Sequence, residues 1–253
     1  PMGVLIYYLL REDAEDVTLE ILDEDGELVR RYGQEELPTE RFRSIDNRGY
    51  EKDLVTGEPA ATVSLGLNRF IWDMRYPNVS PIPGLPPVVI RPIAKPGTYQ
   101  VRLTVDGVSQ TESFELKINP NETYSREETD AKAEAWMALY AKAEEGVQSV
   151  LRAQAAGEQA QAVLDDPNAS ASDKAQAQEI VDLTSEFVSE MVATGRTLVQ
   201  IISEKTKPMS KLVTLHNIAE HTEGPPNEPW LKVYEKTANE IDGYIAQINE
   251  ALE

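Results

Sequence analysis

Alternating apolar and polar positions dominate the first half of the chain, and the stretch Gly66–Pro77 is the clearest example. In a strand, successive side chains point to opposite faces of the sheet. One face of this stretch is aromatic and core-like, and it consists of Asn68, Phe70, Trp72, Met74 and Tyr76. The other face carries a row of charges, namely Arg69, Asp73 and Arg75. We therefore expect a central strand whose aromatic face is buried.

Two tight hairpins are predicted by Asp-Gly pairs that follow alternating runs. Asp25-Gly26 follows the run 17–22, and Asp106-Gly107 follows the run 98–105. Glycine accepts the positive φ that a tight turn demands, so this dipeptide is a strong hairpin signal. The nearly continuous apolar run Val4–Leu10 predicts a further strand, covered on both faces.

Two less regular segments interrupt these strands. Residues 33–61 are polar with little periodicity, and residues 77–96 are rich in proline. Proline removes backbone donors, which favours an irregular path there, with Val88–Ile90 as a short edge strand. About seven short strands without intervening helices predict an antiparallel sandwich of the immunoglobulin or fibronectin type III kind. Tyr99 is either a core aromatic or a residue whose hydroxyl ties down the neighbouring connection.

After Asn119 the apolar positions recur with helical spacing. Ser125 with Glu128 predicts a capping box for the first helix, and Ser170 begins the second. The first helix has a heptad seam of Trp136, Tyr140, Ala143, Val147 and Val150. The second helix has a core stripe of Ile180, Phe187, Met191, Leu198 and Ile202. The last helix has a stripe of Leu231, Tyr234, Ala238, Ile241, Ile245, Ile248 and Leu252.

The predicted fold class is therefore α+β, in two domains. Residues 1–120 are expected to form an Ig-like antiparallel β-sandwich. Residues 121–253 are expected to form an up-down helical bundle of three long helices and one short helix. Gly157, followed by the turn at 165–168, is expected to mark the break between the first two helices.

The chain is acidic and contains no cysteine. Its formal net charge of −20 argues against binding nucleic acid or an anionic membrane, because a phosphate-binding surface needs a basic patch. Without cysteine there are no disulfides, thiolate zinc sites or cysteine nucleophile. No apolar run is long enough for membrane insertion, and the first residues lack a signal-peptide pattern. Because Pro1-Met2-Gly3 runs directly into a strand, we expect a piece of a longer protein.

Few residues are candidates for binding. Arg69, Asp73 and Arg75 are interpreted as an exposed ion ladder or as a contact surface for another domain. Trp230 is a second candidate contact residue if its side chain is exposed. A sugar-stacking platform of Trp72 and Tyr76 is the alternative for the aromatic face, although their alternation with Phe70 favours burial in the core.

The two histidines, His216 and His221, are rejected as a metal pair. A helical zinc pair needs a spacing of three or four, whereas a spacing of five places the rings about 140° apart. The Asp23–Gly26 run lacks the further oxygen ligands of a calcium loop, so a hairpin turn is favoured there. No cofactor is therefore expected.

Four stretches occur in an order that resembles a known family. They are Val4–Leu10, Val17–Gly26, Gly66–Pro77 and Pro96–Leu103. They resemble the region that follows the β-propeller in large secreted bacterial proteins with sortilin-type or BNR-type (sialidase-like) repeats, often labelled glycosyl hydrolases. The most specific part is the motif Asn-Arg-Phe-x-Trp-Asp-x-Arg-Tyr-Pro at 68–77.

The resemblance implies a noncatalytic accessory region, made of an Ig-like domain and a helical segment, in an extracellular or periplasmic bacterial protein. The hydrolase label belongs to the propeller, whose repeats are absent from this chain, so no enzyme activity is expected here. Two functions remain open. One is an interaction module that packs against the N-terminal β-propeller of the parent chain or joins subunits by self-association. The other is a carbohydrate-binding accessory domain of a secreted glycoside hydrolase.

Overall fold

The computed structural model describes residues 3–34, 41–45, 51–55, 59–118, 124–194, 206–222 and 224–252. This part of the chain is α+β, with antiparallel strands in the first half and helices in the second. It divides into two compact units. The β unit comprises Pro1–Pro77 and Arg91–Arg126, and the helical unit comprises Asn78–Ile90 and Glu127–Glu253. The helices therefore share their unit with a segment from the β half of the chain.

The described strands all pair in antiparallel fashion. They are β1 (Val4–Leu10), β2 (Val17–Leu22), β3 (Leu28–Tyr32), β4 (Arg41–Ile45), β5 (Glu51–Val55), β6 (Gly66–Trp72), β7 (Gly97–Val105) and β8 (Val108–Leu116). A four-stranded sheet has the order β3-β2-β7-β8, and two further sheets pair β1 with β6 and β4 with β5. The β4–β5 pair lies in the polar segment 33–61, of which 35–40, 46–50 and 56–58 lie outside the described residues.

Both predicted hairpins are confirmed. β2 pairs with β3, and β7 pairs with β8 in continuous register from Gly97↔Leu116 to Val105↔Val108. Asp106 has φ 48° and Gly107 has φ 83°, the two positive values that a two-residue hairpin turn requires. In the first turn the Asp23 carboxylate accepts the backbone N–H of Glu27 at 2.9 Å. Local turn chemistry is therefore sufficient to set these two connections.

The stretch 66–77 is a strand for only part of its length. β6 ends at Trp72, and Met74 has a positive φ of 59°, which interrupts the alternation of faces. Within the described strands β6 pairs with β1 alone, so the expectation of a central strand is wrong. The expectation of a buried aromatic face is confirmed for the strand itself, because Phe70 and Trp72 are buried.

The β unit has one apolar cluster, to which both β1-β6 and the four-stranded sheet contribute. Its buried members are Ile6, Tyr8, Leu10, Val17, Leu19, Ile21, Val29, Tyr32, Ala61, Phe70, Trp72, Ala94 and Tyr99. Tyr99 fulfils both of its predicted roles. Its ring is buried, and its hydroxyl donates a hydrogen bond to the carbonyl of Lys95 at 2.9 Å. Burial strongly raises the pKa of the Tyr99 hydroxyl, which keeps the donor protonated.

Four helices are described, and they lie close to their predicted positions. They are α1 (Arg126–Asp165), α2 (Ala171–Met191), α3 (Pro208–His221) and α4 (Glu228–Leu252). As predicted, α2 begins at Ser170, its N-cap residue, and the structure adds a capping box that Ser170 forms with Asp173. Gly157 does not break α1, and that expectation is wrong. An added Cβ at Gly157 would lie 2.8 Å from Thr184 Oγ1, so this glycine allows α2 to approach α1 closely.

The predicted helical stripes mostly form the core of the helical unit. Trp136, Ala143, Val147 and Val150 of the α1 seam are buried, as are Phe187 and Met191 of α2. Leu198 and Ile202 lie outside the described residues. In α4 the stripe is out of phase at its start, because Leu231 is exposed and Trp230 is buried instead. None of the described helices is long and apolar enough to cross a membrane.

The segment Asn78–Ile90 packs in the core of the helical unit. Val79, Ile82 and Ile90 are buried in the same apolar cluster as α1, α3 and α4. The Asn78 side chain bridges the segment, since its amide donates to Val88 O and accepts the N–H of Ile90, both at 2.8 Å. Val88–Ile90 does not form the predicted edge strand. Ile90 packs against apolar side chains of the helices instead, so it is buried without pairing in a sheet.

Several hydrogen bonds hold this segment on α1. The backbone N–H and hydroxyl of Ser80 donate to the Glu144 carboxylate at 2.8 and 2.6 Å. Gln148, one helical turn further along, donates to the same carboxylate at 2.8 Å and to the Ser80 hydroxyl at 3.0 Å. Burial raises the pKa of Glu144, but these hydrogen bonds outweigh it and hold the pKa below its usual value.

Candidate functional site

The predicted ladder of Arg69, Asp73 and Arg75 is not one continuous row. Asp73 and Arg75 follow the end of β6 and turn toward Arg91. The Asp73 carboxylate forms a 2.6 Å ion pair with the Arg91 guanidinium, and Arg75 donates to the carbonyl of Arg91 at 2.9 Å. Arg69 lies on the strand itself and is exposed. Period-two alternation applies only within the strand, which ends at Trp72, and the positive φ of Met74 interrupts it before Arg75.

Trp72 cannot stack on a sugar, so the alternative of a platform with Tyr76 is excluded, and the favoured burial of Trp72 in the core is confirmed. Trp72 is 0% exposed, and its indole N–H donates to the carbonyl of Arg75 at 3.2 Å. Its ring lies against Tyr99 and Phe114, with centroid separations of 5.6 and 6.1 Å. Tyr76 is partly buried, and burial raises the pKa of its hydroxyl. Both residues stabilise the β unit from inside.

Trp230 is also a core residue, so it does not provide the predicted contact surface. Only 5% of Trp230 is exposed, and its indole N–H donates to the carbonyl of Leu215 at 3.0 Å. Its ring stacks on Tyr234 with a centroid separation of 5.6 Å. The sequence left the exposure of Trp230 open, because Trp230 precedes the predicted stripe that starts at Leu231.

The two histidines lie in different environments of the helical unit. His216 is buried, and its Nδ1 accepts the indole N–H of Trp136 at 2.9 Å. Its Nε2 lies 3.9 Å from the Glu220 carboxylate. His221 is exposed and its Nδ1 lies 2.8 Å from the carbonyl of Asn217. Across the described residues, no group of three or more His, Cys, Asp or Glu side chains could hold a metal ion.

A groove of about 190 Å³ lies between α2 and α4. It is lined by Leu183, Glu186, Phe187, Glu190, Tyr244, Gln247 and Ile248. Tyr244 donates to Glu190 at 3.4 Å, while the Lys207 ammonium donates to the same carboxylate at 3.1 Å. The lining polar groups thus contact one another, and the groove is small beside the pockets of about 300–1,000 Å³ that hold most small ligands.

The most distinctive surface in the described part of the chain is one face of the β1–β6 sheet. We call it the outer face, and it consists of Leu5, Tyr7, Leu9, Leu67, Arg69 and Ile71. The exposed fractions are 41% for Leu5, 57% for both Tyr7 and Leu9, and 72% for Leu67. Single exposed apolar residues are ordinary, but contiguous apolar patches mark interaction surfaces in soluble proteins. This contiguous row is therefore the candidate functional site.

The strand register explains how the outer face forms. β1 and β6 are antiparallel partners, with Leu5 opposite Ile71, Tyr7 opposite Arg69 and Leu9 opposite Leu67. Side chains at alternate positions of both strands share one face, and the intervening residues, such as Tyr8 and Phe70, are buried in the core. Leu65, which precedes β6 and is 62% exposed, adds a further exposed apolar side chain next to this strand.

Of the outer face, sequence reasoning selected only Arg69 as a candidate contact residue. The run Val4–Leu10 was expected to be covered on both sides, and that expectation is wrong for the described structure, since Leu5, Tyr7 and Leu9 are exposed. A continuous apolar run carries no information about which face has a partner. The signal that could have identified the surface is that β1 has apolar side chains, and no charged ones, at the alternate positions Leu5, Tyr7 and Leu9.

Comparison with known proteins does not assign a family. No protein-family model matches this chain, and no match to it is found among curated proteins. The functional argument therefore rests on the geometry of the described residues, and above all on the outer face.

Proposed function

We propose that this chain is a noncatalytic interaction module that binds another protein surface through the outer face. The observation that carries the proposal is the exposure of Leu5, Tyr7, Leu9 and Leu67 in one contiguous row. Burying apolar surface contributes roughly 25 cal/mol for each Å² removed from water, so a partner that covers this row gains stability directly. An aromatic side chain and an arginine at the centre are also the residue types enriched in binding hot spots.

For the architecture, we propose an Ig-like or fibronectin-III-like β-sandwich followed by an up-down helical bundle. Support for the sandwich comes from the single apolar cluster shared by β1-β6 and the four-stranded sheet. Support for the bundle comes from the single cluster shared by α1, α2, α3, α4 and the segment Asn78–Ile90. These are the arrangements in which amphipathic strands and helices bury their apolar faces against each other.

For the biological setting, we propose an accessory region of a larger, secreted bacterial β-propeller protein, located outside the cell or in the periplasm. The resemblance of the 68–77 motif is the support for this setting. In the β unit the motif has a structural role, because Phe70 and Trp72 are core residues and Asp73 pairs with Arg91. The N-terminal propeller is then the partner in cis, and the outer face is the surface available for contact.

Carbohydrate binding is not carried forward as a second candidate. It depended on an exposed aromatic platform, and the burial of Trp72 removes the larger of the two rings from solvent. Tyr7 is an exposed aromatic on the outer face, but its immediate neighbours there are aliphatic residues and Arg69. A protein surface complements such a mixture better than a sugar ring does, because sugars present hydroxyl groups that need polar partners.

The test of this function begins with the full-length reading frame. If it encodes a propeller, that propeller is expressed as a separate chain and its binding to the present chain is measured by titration calorimetry. We expect binding that is lost in a Tyr7→Ser/Leu9→Ser variant and retained in the control Val108→Ser, which changes an exposed valine (71%) at the β7–β8 turn. Equal affinity of all three chains would refute the assignment of the outer face.

A further inference from the structure

The outer face is chemically complementary to the outer face of a second copy. Its six side chains form three cross-strand pairs, Leu5 with Ile71, Tyr7 with Arg69, and Leu9 with Leu67. The central pair contains one aromatic ring and one cation, and the two outer pairs are aliphatic. Each pair has one member on β1 and the other on β6. Suppose that a second copy faces this surface with its β1 over β6 and its β6 over β1, and with the three pairs at the same levels. Each residue then faces the residue type of its own cross-strand partner.

We propose that the outer face binds the same face of a second copy of this chain. The two-fold axis runs parallel to the strands, midway between β1 and β6. This operation places Tyr7 of each copy opposite Arg69 of the other copy, so the contact occurs twice. At both ends of the face, aliphatic residues lie opposite aliphatic residues. An arginine over a tyrosine ring is an attractive cation–π contact, and aligned sheets pack face to face at about 10 Å. This inference rests on the proposed function, because it names a second copy as an occupant of the same surface, in competition with the propeller.

The alternative two-fold axis across the strands is unfavourable. It would place Tyr7 opposite Tyr7 and Arg69 opposite Arg69 of the second copy. Two guanidinium groups would then meet in a region from which water is excluded, where like charges repel strongly. In a two-fold interface, a contact of residue i with residue j is repeated as a contact of j with i. Only the axis parallel to the strands therefore pairs Tyr7 with Arg69 in both directions.

The size and charge of the chain predict a weak dimer. A seven-residue strand is about 20 Å long, so two adjacent strands offer far less than the roughly 800 Å² per partner of a standard interface. Each copy also carries a formal charge of −20, which opposes association until salt screens it. We therefore expect a dissociation constant in the micromolar range or weaker, and a dimer that tightens as the salt concentration rises.

The experiment is sedimentation velocity on the full chain over a wide concentration range, at low and high sodium chloride. Wild type is expected to show a reversible monomer–dimer equilibrium that shifts toward dimer at high salt. Tyr7→Lys places a lysine opposite Arg69 of the second copy, and Arg69→Glu removes the cation, so each is expected to weaken the dimer at least tenfold. Val108→Lys, at an exposed site outside the outer face, is the matched control and is expected to leave the equilibrium unchanged.

The double variant Tyr7→Lys/Arg69→Glu tests the axis itself. With the axis parallel to the strands, each lysine meets a glutamate of the second copy, and the dimer is expected to return. With the axis across the strands, like charges would meet at both positions and the double variant would stay monomeric, which overturns the proposed geometry. Far-ultraviolet circular dichroism checks that each variant is folded, and Leu67→Lys provides a second disrupting substitution at a 72% exposed position.

The outcomes separate this inference from the function on which it rests. A wild type that is monomeric at all concentrations and salt levels overturns the dimer. If that monomer still binds the parent propeller in a Tyr7-dependent manner, the interaction function stands with a different partner. If wild type dimerises but Tyr7→Lys dimerises equally well, the outer face is not the interface and the inference fails.

Discussion

Replacing Gly157 with alanine measures how closely α1 and α2 approach. An added Cβ would lie 2.8 Å from Thr184 Oγ1 and 3.6 Å from Thr184 Cβ. Thr184 is buried, and its hydroxyl donates to the carbonyl of Ile180 at 2.8 Å. Because a β-branched side chain in a helix has few accessible rotamers, Thr184 cannot move aside without losing that hydrogen bond. The new methyl group therefore meets a fixed neighbour.

Two opposing effects decide the magnitude. Alanine is more favourable than glycine in a helix interior by about 1 kcal/mol, whereas overpacking a core costs about 1–3 kcal/mol. Gly157→Ala is thus expected to lower the free energy of unfolding by between zero and about 2 kcal/mol. Gly243 lies in α4 with nothing within 4 Å of an added Cβ, so Gly243→Ala should raise it by about 0.5–1 kcal/mol.

The assay is urea unfolding followed by far-ultraviolet circular dichroism, which reports mainly on the helical unit. The difference between the two variants cancels the helix-propensity effect and isolates the packing penalty at Gly157. A third chain, Gly157→Ala/Thr184→Ala, removes the clashing hydroxyl and should recover much of that penalty as a non-additive coupling. If Gly157→Ala stabilises the helical unit as much as Gly243→Ala does, α1 and α2 do not approach at this point.

Two further predictions concern polar contacts inside the helical unit. Trp136→Phe removes the indole donor to His216 Nδ1, and the loss of this buried hydrogen bond should lower the free energy of unfolding by about 1–3 kcal/mol, measured by the same urea assay. Burial raises the pKa of Glu144, but hydrogen bonds from Ser80 and Gln148 hold it below its usual value. Wild type should therefore be more stable than Glu144→Gln above the ordinary carboxyl range, and lose this advantage as the pH falls through the lowered pKa. An advantage that does not change with pH would contradict the ionised contact with Ser80.

Features that depend on neighbouring residues were predicted well from the sequence. The two Asp-Gly hairpins and the start of α2 at Ser170 each follow from chemistry within a few residues. The α1 seam was also identified, because a repeat of apolar residues sustained over several turns fixes which side of a helix is buried. The phase of α4 was wrong by one residue at its start, since Trp230 is amphipathic and its burial depends on the carbonyl of Leu215.

Features that depend on distant partners could not be predicted. The predicted ladder assumed that the strand continues to Arg75, but β6 ends at Trp72 and the positive φ of Met74 ends the alternation before Arg75. The run Val4–Leu10 gave no indication of which face would lack a partner. Gly157 was interpreted as a helix break, although its actual role depends on Thr184, more than 20 residues away in sequence. At Gly157 the deciding contact joins two helices that local patterns treat as independent.

The placement of Asn78–Ile90 among the helices has a consequence for synthesis and folding. This segment leaves the ribosome before any of the helices against which Val79, Ile82 and Ile90 are buried. The β unit, in turn, needs Arg91–Arg126 to complete its four-stranded sheet. Neither unit is therefore a contiguous stretch of polypeptide, and no single cleavage of the chain yields both intact. During synthesis these three apolar side chains therefore acquire their buried environment only after the helices have been made.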